Sequence, residues 1–551
     1  MAVLSPSILR YVPFTPVQAL FSIWVALVIY TYTRRFVAER RIRRLGLTAP
    51  FIKTYLPWGL DMPIKASRKF LRNRAMDAWL DEWKHLEAEK TLNYTMELRL
   101  LSNVRVVMTA DPENIKAMLT QQFADYGKGP EFHKEWQDFL GDSIFTTDGK
   151  QWSDSRALIR PMFQRERVAD LDIIEQHVQE LFHHLGNGDG RQVDARNLFF
   201  RFALDASTHF LFGHSAGSLV TEHSDFAKAF DEVQRIQALD GRAGPLRMFL
   251  DKKPFWKGLK TMDQFIEPYM NEALSLSNED LDRKLSKRDT FLHHLAQRTR
   301  DRKVIRDQLV ALLLAGRDTT STTLSWMILE LARNPNVVKK LRAEIAENVG
   351  TNGQLPTYEN IKNMKYLTWI INETLRLYPV VPFNVRNSLT DTTLPRGGGP
   401  DGMQPIGVPK DTPVGYSTLI MHRRRDLYPD ISDNFPYEPD QWVPERWATW
   451  QPRLFGGWTF LPFNGGPRIC IGQQCKLPSI PISRTSFLNA TDKCAVVAMV
   501  EMAYVMIRLF SEYDSLVDYG NDNVELGITI TLAPHPGVKV GFAKDRQNEK
   551  S

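Results

Sequence analysis

Cysteine is nearly absent from this chain. The 551 residues hold three, and none precedes position 470. A disulfide framework is thereby excluded for most of the length, as expected in a reducing compartment. A structural zinc site is excluded as well. It needs four ligands, and Cys470, Cys475 and Cys494 stand at irregular spacing with no histidine between or beside them. Internal repeats and low-complexity tracts are missing. Excess charge is missing from most of the chain: the formal net charge is +6, residues 1–50 carry seven arginines and one glutamate, and the other 501 residues sum to zero. The basic balance therefore gives no reason to propose nucleic-acid binding.

Long apolar runs are also scarce, with one exception. Tyr11 to Thr33 is a stretch of 23 residues without a charge, and a bilayer helix needs about 20. No small-x-small cleavage site precedes the arginines at 34, 35, 40, 41, 43 and 44, which disfavours a cleaved signal peptide. Those six arginines, against Arg10 alone on the other flank, place the following domain on the cytosolic side. The expected organisation is a lumenal N-terminus (1–10), a transmembrane anchor (11–33), a basic, proline-containing linker (34–65) stiffened by Pro50, Pro57 and Pro63, and one large domain (66–551).

What is present is concentrated around Cys470. It lies in Phe463-Asn-Gly-Gly466-Pro-Arg468-Ile-Cys470-Ile-Gly472. Glycines let the backbone turn tightly and leave room for something flat. Arg468 supplies a fixed cationic fork suited to a carboxylate. A single thiolate in such a loop suits axial ligation of haem iron. An isolated cysteine in a turn is more often inert and buried, but here the whole pattern is present.

The loop resembles the haem-binding signature of the cytochrome P-450 family, the haem-thiolate monooxygenases. The resemblance implies that Cys470 is the axial ligand of haem b, with Phe463, Gly466, Arg468 and Gly472 around it. Further matches follow in the family's order. Glu373-Thr-Leu-Arg376 resembles Glu-x-x-Arg, its i, i+3 spacing putting acid and base on one helix face. Pro444-Glu445-Arg446, about 70 residues on, resembles the segment whose arginine completes a buried scaffolding triad of Glu373, Arg376 and Arg446. Trp152 and Arg156 stand at i and i+4 and resemble Trp-x-x-x-Arg, which contacts haem propionates. The implied fold is the family's: mainly α with small β-sheets (α+β), a single haem domain behind a membrane helix.

From about Val304 to Asn334 the chain reads as one long helix. In its middle stands Ala315-Gly316-Arg317-Asp318-Thr319-Thr320, poor helix material among apolar neighbours. Such a conflict points to a kink or a functional site. Gly316 is expected to let a small molecule approach the backbone, and threonine hydroxyls to bond back to carbonyls. The segment resembles the family's distal helix, in which Thr319 orients dioxygen and its waters and Asp318 feeds protons. An acid–alcohol pair of this kind relays protons without flooding the site.

The likeness narrows further. Gly141 to Pro161, Asp391 to Gly402 and the Cys470 loop are similar to fungal and yeast members that hydroxylate n-alkanes and fatty acids. That implies hydroxylation of a long aliphatic chain, with electrons from NADPH through a flavoprotein reductase, at the endoplasmic reticulum membrane. Expected pocket walls are the distal helix, Val380 to Val385, Leu526 to Leu532, and a lid within Phe226 to Phe265. The alternatives are oxidation of a polyketide or fatty-acid-derived secondary metabolite, and a haem-poor form without turnover.

The last alternative rests on an interruption. In the family, the cysteine loop runs directly into a helix as Cys-x-Gly-Gln-Gln-Phe-Ala-x-x-Glu. Here Gln473-Gln474 is followed by Cys475 to Val497, containing Pro478 and Pro481, and only then by Ala498-Met-Val-Glu501. Glu501 follows Cys470 by 31 residues where the pattern has 9, so 22 are extra. Twenty-two codons are 66 nucleotides, a plausible fungal intron. Cys475-Lys can be encoded as T-GTAAG, Thr491-Asp can supply CTGAC, and Val496-Val can end the segment in AG. Excision then joins T to TC, a phenylalanine codon, the residue that the family has there. Residues 475–497 are read as mostly a translated intron, with a surface insertion as the alternative.

Overall fold

The computed structural model describes residues 16–52, 76, 79–81, 83, 94–100, 104–163, 171–221, 224–285, 290–351, 353–428, 437–449, 457–474 and 495–545. The linker from 53 to 65 and the interruption from 475 to 494 lie outside them.

Helix α1 (Pro16–Leu45) is longer than the charge-free run that starts it. It continues through the arginines expected to begin a linker. Thirty residues extend about 45 Å, against about 30 Å of hydrocarbon. One end is bare: Leu20, Trp24 and Ile29 are more than half exposed, and the helix is long and apolar enough to cross a membrane. Its other end is seated on the domain. Ile42 is buried, and the Arg41 guanidinium pairs with Asp391 at 2.6 Å. Gly46 and Gly407 permit the approach, since a Cβ at Gly407 would lie 2.4 Å from the Ile42 carbonyl.

The rest is predominantly helical. The helices that frame the site are α2 (Gly129–Leu140), α3 (Gly149–Ile159), α4 (Ala195–Phe212), α5 (Asp225–Ala243), α6 (Lys253–Ser275), α7 (Arg302–Arg333), α8 (Lys365–Leu377) and α9 (Val497–Glu512). A five-stranded sheet packs at one side. It comprises β1 (Thr95–Leu100), β2 (Val104–Thr109), β3 (Tyr126–Gly127), β4 (Phe383–Ser388) and β5 (Pro413–Ser417), in the order β1-β2-β5-β4-β3. Only the β2–β5 pair is parallel.

Helix α7 is the axis. Asp301 caps it, accepting from the Lys303 and Val304 amides. Its first half, Ile305 to Leu314, belongs to a core shared with α5 and α6. Its second half, Leu324 to Leu331, belongs to another shared with α4, α8 and α9. The polar run 315–323 lies between them. The helix runs through it without a break. Thr319, Ser321, Thr323 and Ser325 each donate to the carbonyl four residues back, at 2.6–2.9 Å, so the hydroxyls are absorbed into the helix.

After the cysteine loop, Gln473–Gln474 and Ala495–Val496 pair as a two-residue antiparallel ladder. The described residues on either side of the interruption are therefore adjacent. Helix α9 then docks as if continuous with the loop: its Glu501 accepts from the Thr320 hydroxyl of α7 at 3.1 Å.

Candidate active site

The loop from Phe463 to Gly472 is held from three sides. The Cys470 amide donates to the Phe463 carbonyl at 2.9 Å. Gly466 has φ +67°, and a Cβ there would sit 1.8 Å from the Leu119 carbonyl oxygen, so glycine is required twice over. A Cβ at Gly472 would lie 3.6 Å from the Cys470 sulfur, an ordinary contact that leaves the thiol accessible. Cys470 itself is exposed.

A cationic cluster lies beside it. The Arg468 guanidinium stacks on Trp152 at 4.7 Å, and Arg156 lies 5.9 Å from the same ring. Arg156 also feels the charge of Cys470. The structure brings together Trp152, Arg156, Arg468 and Cys470, which come from α3 and a loop some 300 residues later.

Three members of this cluster carried no sequence signal. Asp148 does not cap α3 with its side chain. Instead it accepts from the Lys128 and Gly129 amides at 2.9 and 2.8 Å, and from Arg468. Lys128 and Arg386 add positive charge. Burial, then Arg386 and Arg468, hold the Lys128 ammonium well below its usual range. Burial also lowers Arg468 to about 10, although Asp148 opposes the shift.

Two observations show that this site suits a haem. The ionisable neighbours of Arg468 include Asp148, Arg386, Tyr416, Arg156 and Lys128, an excess of cations that two propionates would neutralise. The Arg468 Nε is buried and lacks a hydrogen-bond partner among the described residues, so a donor waits for an acceptor. When bound, a thiolate-ligated haem supplies oxygen activation.

Behind the loop stands the expected ion cluster. Glu373 and Arg376 of α8 form two parallel hydrogen bonds of 2.8 Å, and Arg446 approaches Glu373 at 3.3 Å. All three side chains are fully buried. Glu373 also accepts from the Val443 amide and the Trp447 indole, so its oxygens are well satisfied. His422 connects this cluster to the loop, unforeseen from sequence. Its Nδ1–H donates to the Arg376 carbonyl at 3.2 Å, and its Nε2 accepts from the Leu461 amide at 3.0 Å. Burial and the Arg376 charge push its pKa down to about 3, which keeps it neutral and able to accept.

Helix α7 carries Asp318 and Thr319 in its polar run. Asp318 is almost fully buried, and burial raises its carboxyl to about 6 despite the neighbouring Arg317. Thr319 donates to the Ala315 carbonyl at 2.7 Å. A Cβ at Gly316 would meet the Ser207 hydroxyl of α4 at 2.7 Å, so the close approach of α4 also favours glycine there. The expected pocket walls do converge. The Leu532 amide donates to the Val380 carbonyl at 3.0 Å, the Thr322 and Thr531 hydroxyls lie 3.3 Å apart, and Arg242 of α5 donates to the Ile528 carbonyl at 3.1 Å.

Comparisons with known proteins bear on the family and the fold. The family model described as cytochrome P450 matches residues 84–475, ending where the interruption begins. A cytochrome P450 monooxygenase of Talaromyces variabilis, pvhE, is 42% identical over 97% of both chains. Cytochrome P450 52A5 of Candida maltosa is 37% identical over 89% of this chain and 90% of its own. Among solved structures, the haem domain of cytochrome P450DA superposes with a TM-score of 0.71 at 15% identity, over 91% of this chain and 99% of that one.

Proposed function

This chain belongs to the cytochrome P450 family, and we propose that it is a membrane-anchored monooxygenase that hydroxylates a long aliphatic chain such as a fatty acid or n-alkane. The cofactor is haem b, and electrons come from NADPH through a flavoprotein reductase at the endoplasmic reticulum membrane. The single observation that carries the reading is the Cys470 thiol beside a partly unsatisfied arginine cluster, on a chain similar along nearly its full length to P450s of the 52A group.

Each residue has a task. Cys470 is the iron ligand. Arg468, Arg156, Lys128 and Arg386 hold propionates, with Asp148 fixing the Arg468 fork. Glu373, Arg376 and Arg446 hold the loop's support in place. Asp318, raised to about 6 by burial, keeps a proton close to neutral pH and can release it. Thr319 can break its bond to Ala315 and receive that proton, holding it at its hydroxyl where a bound haem would activate oxygen. The apolar walls from Val380 and Leu532 exclude bulk water from the same space.

Turnover of lauric or palmitic acid by the reductase-supplemented protein, with product position read by mass spectrometry, tests the substrate. Hydroxylation at or near the chain end is expected; rejection of both acids and of n-alkanes, with oxidation of a polyketide instead, overturns it. A second reading, a haem-poor long form, is favoured by one observation: the family match stops at 475, where the 22 extra residues begin. Sequencing the transcript decides between intron and insertion.

A further inference from the structure

The distal helix carries a charge that an acid–alcohol relay does not require. Arg317 is 3% exposed, and a buried guanidinium is costly unless paired. Its Nη1 lies 3.2 Å from Asp318 Oδ1 on its own helix. Its Nη2 donates to Asp231 Oδ1, which belongs to α5. Phe200 of α4 and Phe230 of α5 flank the guanidinium at 5.0 and 5.3 Å. Gln234 stands one turn after Asp231 on the same face of α5. In the orientation that satisfies its amide, the nitrogen donates to Asp318 Oδ2 at 2.5 Å and the oxygen accepts from Arg317 Nη1 at 3.3 Å.

The two carboxylates differ in their surroundings. The Asp231 side chain is 61% exposed, whereas that of Asp318 is 2% exposed. One arginine is thus shared between a water-facing acid on α5 and a buried acid on α7. Helix α5 also packs on α6 and touches the pocket wall through Arg242. Its seat therefore bears on substrate and on the acid together.

We propose that Asp231 and Arg317 are positioning residues for the distal acid, coupling the seat of α5 to whether Asp318 can supply a proton. The coupling rests on the reading of Asp318 as proton donor. With α5 seated, Asp231 draws on Arg317, and Asp318 keeps its proton. When Asp231 is withdrawn, Arg317 turns wholly to Asp318 and holds it as a carboxylate that cannot donate. The groups facing Asp318 are Arg317 on α7 and Asp231 and Gln234 on α5, with Arg196 of α4 in the same field. Burial raises Asp318, Asp231 adds to the rise, and Arg317 and Gln234 oppose it. Removing Asp231 therefore lowers the titration midpoint, and removing the Gln234 donor raises it.

The test is an infrared difference titration of the full-length holoprotein, following the protonated-carboxyl band that Asp318→Asn abolishes. Asp231→Asn is expected to lower the midpoint by about one pH unit, the scale of an opposite charge gained at short range. Asp231→Glu restores it, and Gln234→Leu moves it upward. Opposite shifts from two side chains on one helix face are not produced by general loosening of α5. An unchanged midpoint in Asp231→Asn, or shifts of the same sign in both variants, overturns the proposal. Full turnover by Asp318→Asn, with the midpoints shifted as expected, overturns the donor reading instead and leaves the electrostatic link standing.

Discussion

On the distal side, one 32-residue helix passes through two hydrophobic cores and delivers Asp318 and Thr319 to the site without a break. On the proximal side, the cysteine loop is well held as far as Gly472, and the sequence then carries 22 residues more than the family's pattern before α9. Yet α9 reaches its place, as the Thr320–Glu501 contact shows. The distal half is built to tolerate polar residues inside a helix: Thr319, Ser321, Thr323 and Ser325 bond back to carbonyls, while Thr320 and Thr322 find partners on neighbouring segments. The proximal half depends on an extended loop whose exit has been lengthened. The contrast separates what folding secures from what haem binding requires. The helices assemble around the interruption, while the ligand loop has it at its own end.

The largest effect expected is on the proximal side. Replacing Cys475 to Val497 by a single phenylalanine, a net loss of 22 residues that restores Gln474-Phe-Ala498, is expected to give a full carbon monoxide difference band near 450 nm (the wavelength in the family's name), and the long form a weak one. A full band from the long form would break the contrast, and would make the segment a tolerated surface insertion. On the distal side, Asp318→Asn is expected to lower kcat by roughly 10²–10⁴, the usual contribution of a positioned proton donor. Its pH dependence carries a sign. The carboxyl titrates at about 6, above its ordinary value, so the donating form is lost as pH rises through 6. Turnover should fall over that range in the native protein, and the fall should vanish in the variant. A pH profile shared by both would place the donor elsewhere.

Much of this site was legible because its residues lie in short patterns. Phe463 to Gly472, Glu373 with Arg376, and Trp152 with Arg156 each hold their chemistry within one loop or one helix turn. The missed residues act across the fold. Asp148 is 320 positions from the Arg468 it orients, and Asp231 is 86 from Arg317. His422 joins α8 to the loop through backbone groups alone, which no side-chain pattern records. A glycine in a helix can admit a ligand or a neighbouring helix, and the approach of Ser207 to Gly316 is a contact that no sequence pattern records. The N-terminal helix outran its expected end because arginine is a good helix former and its C-terminal half is seated on the sheet domain.

The buried ion cluster offers an intermediate test. Glu373→Gln leaves Arg376 and Arg446 buried without their shared anion. Breaking one partner of such a cluster costs about 3–5 kcal/mol, so loss of the folded holoprotein at ordinary temperature is expected, read by thermal unfolding. Because His422 ties Arg376 to Leu461, the loop should loosen with the cluster, and the 450 nm band should shift toward a thiol-ligated position before unfolding completes. Unfolding without any prior change in that band would show that the cluster stabilises the domain without reaching the loop.

The smallest effect is the sharpest probe of the proximal loop itself. Gly466→Ala adds one methyl group in a left-handed conformation, which alone costs about 1–2 kcal/mol for an L-residue. The added Cβ also meets the Leu119 carbonyl, which cannot move without shifting the helical turn after Lys116. The loop must therefore yield, and Cys470, whose amide is bonded to Phe463 within it, moves too. In the shortened form the expected result is a stable protein with a diminished 450 nm band. The same methyl at Gly316 in the distal helix meets the end of one serine side chain, which can rotate away. Gly316→Ala should leave the band intact and shift the melting temperature by a few degrees at most. If Gly316→Ala erased the band and Gly466→Ala spared it, the distal helix would be the fragile half, and the assignment of rigidity to α7 and dependence to the loop would have to be exchanged.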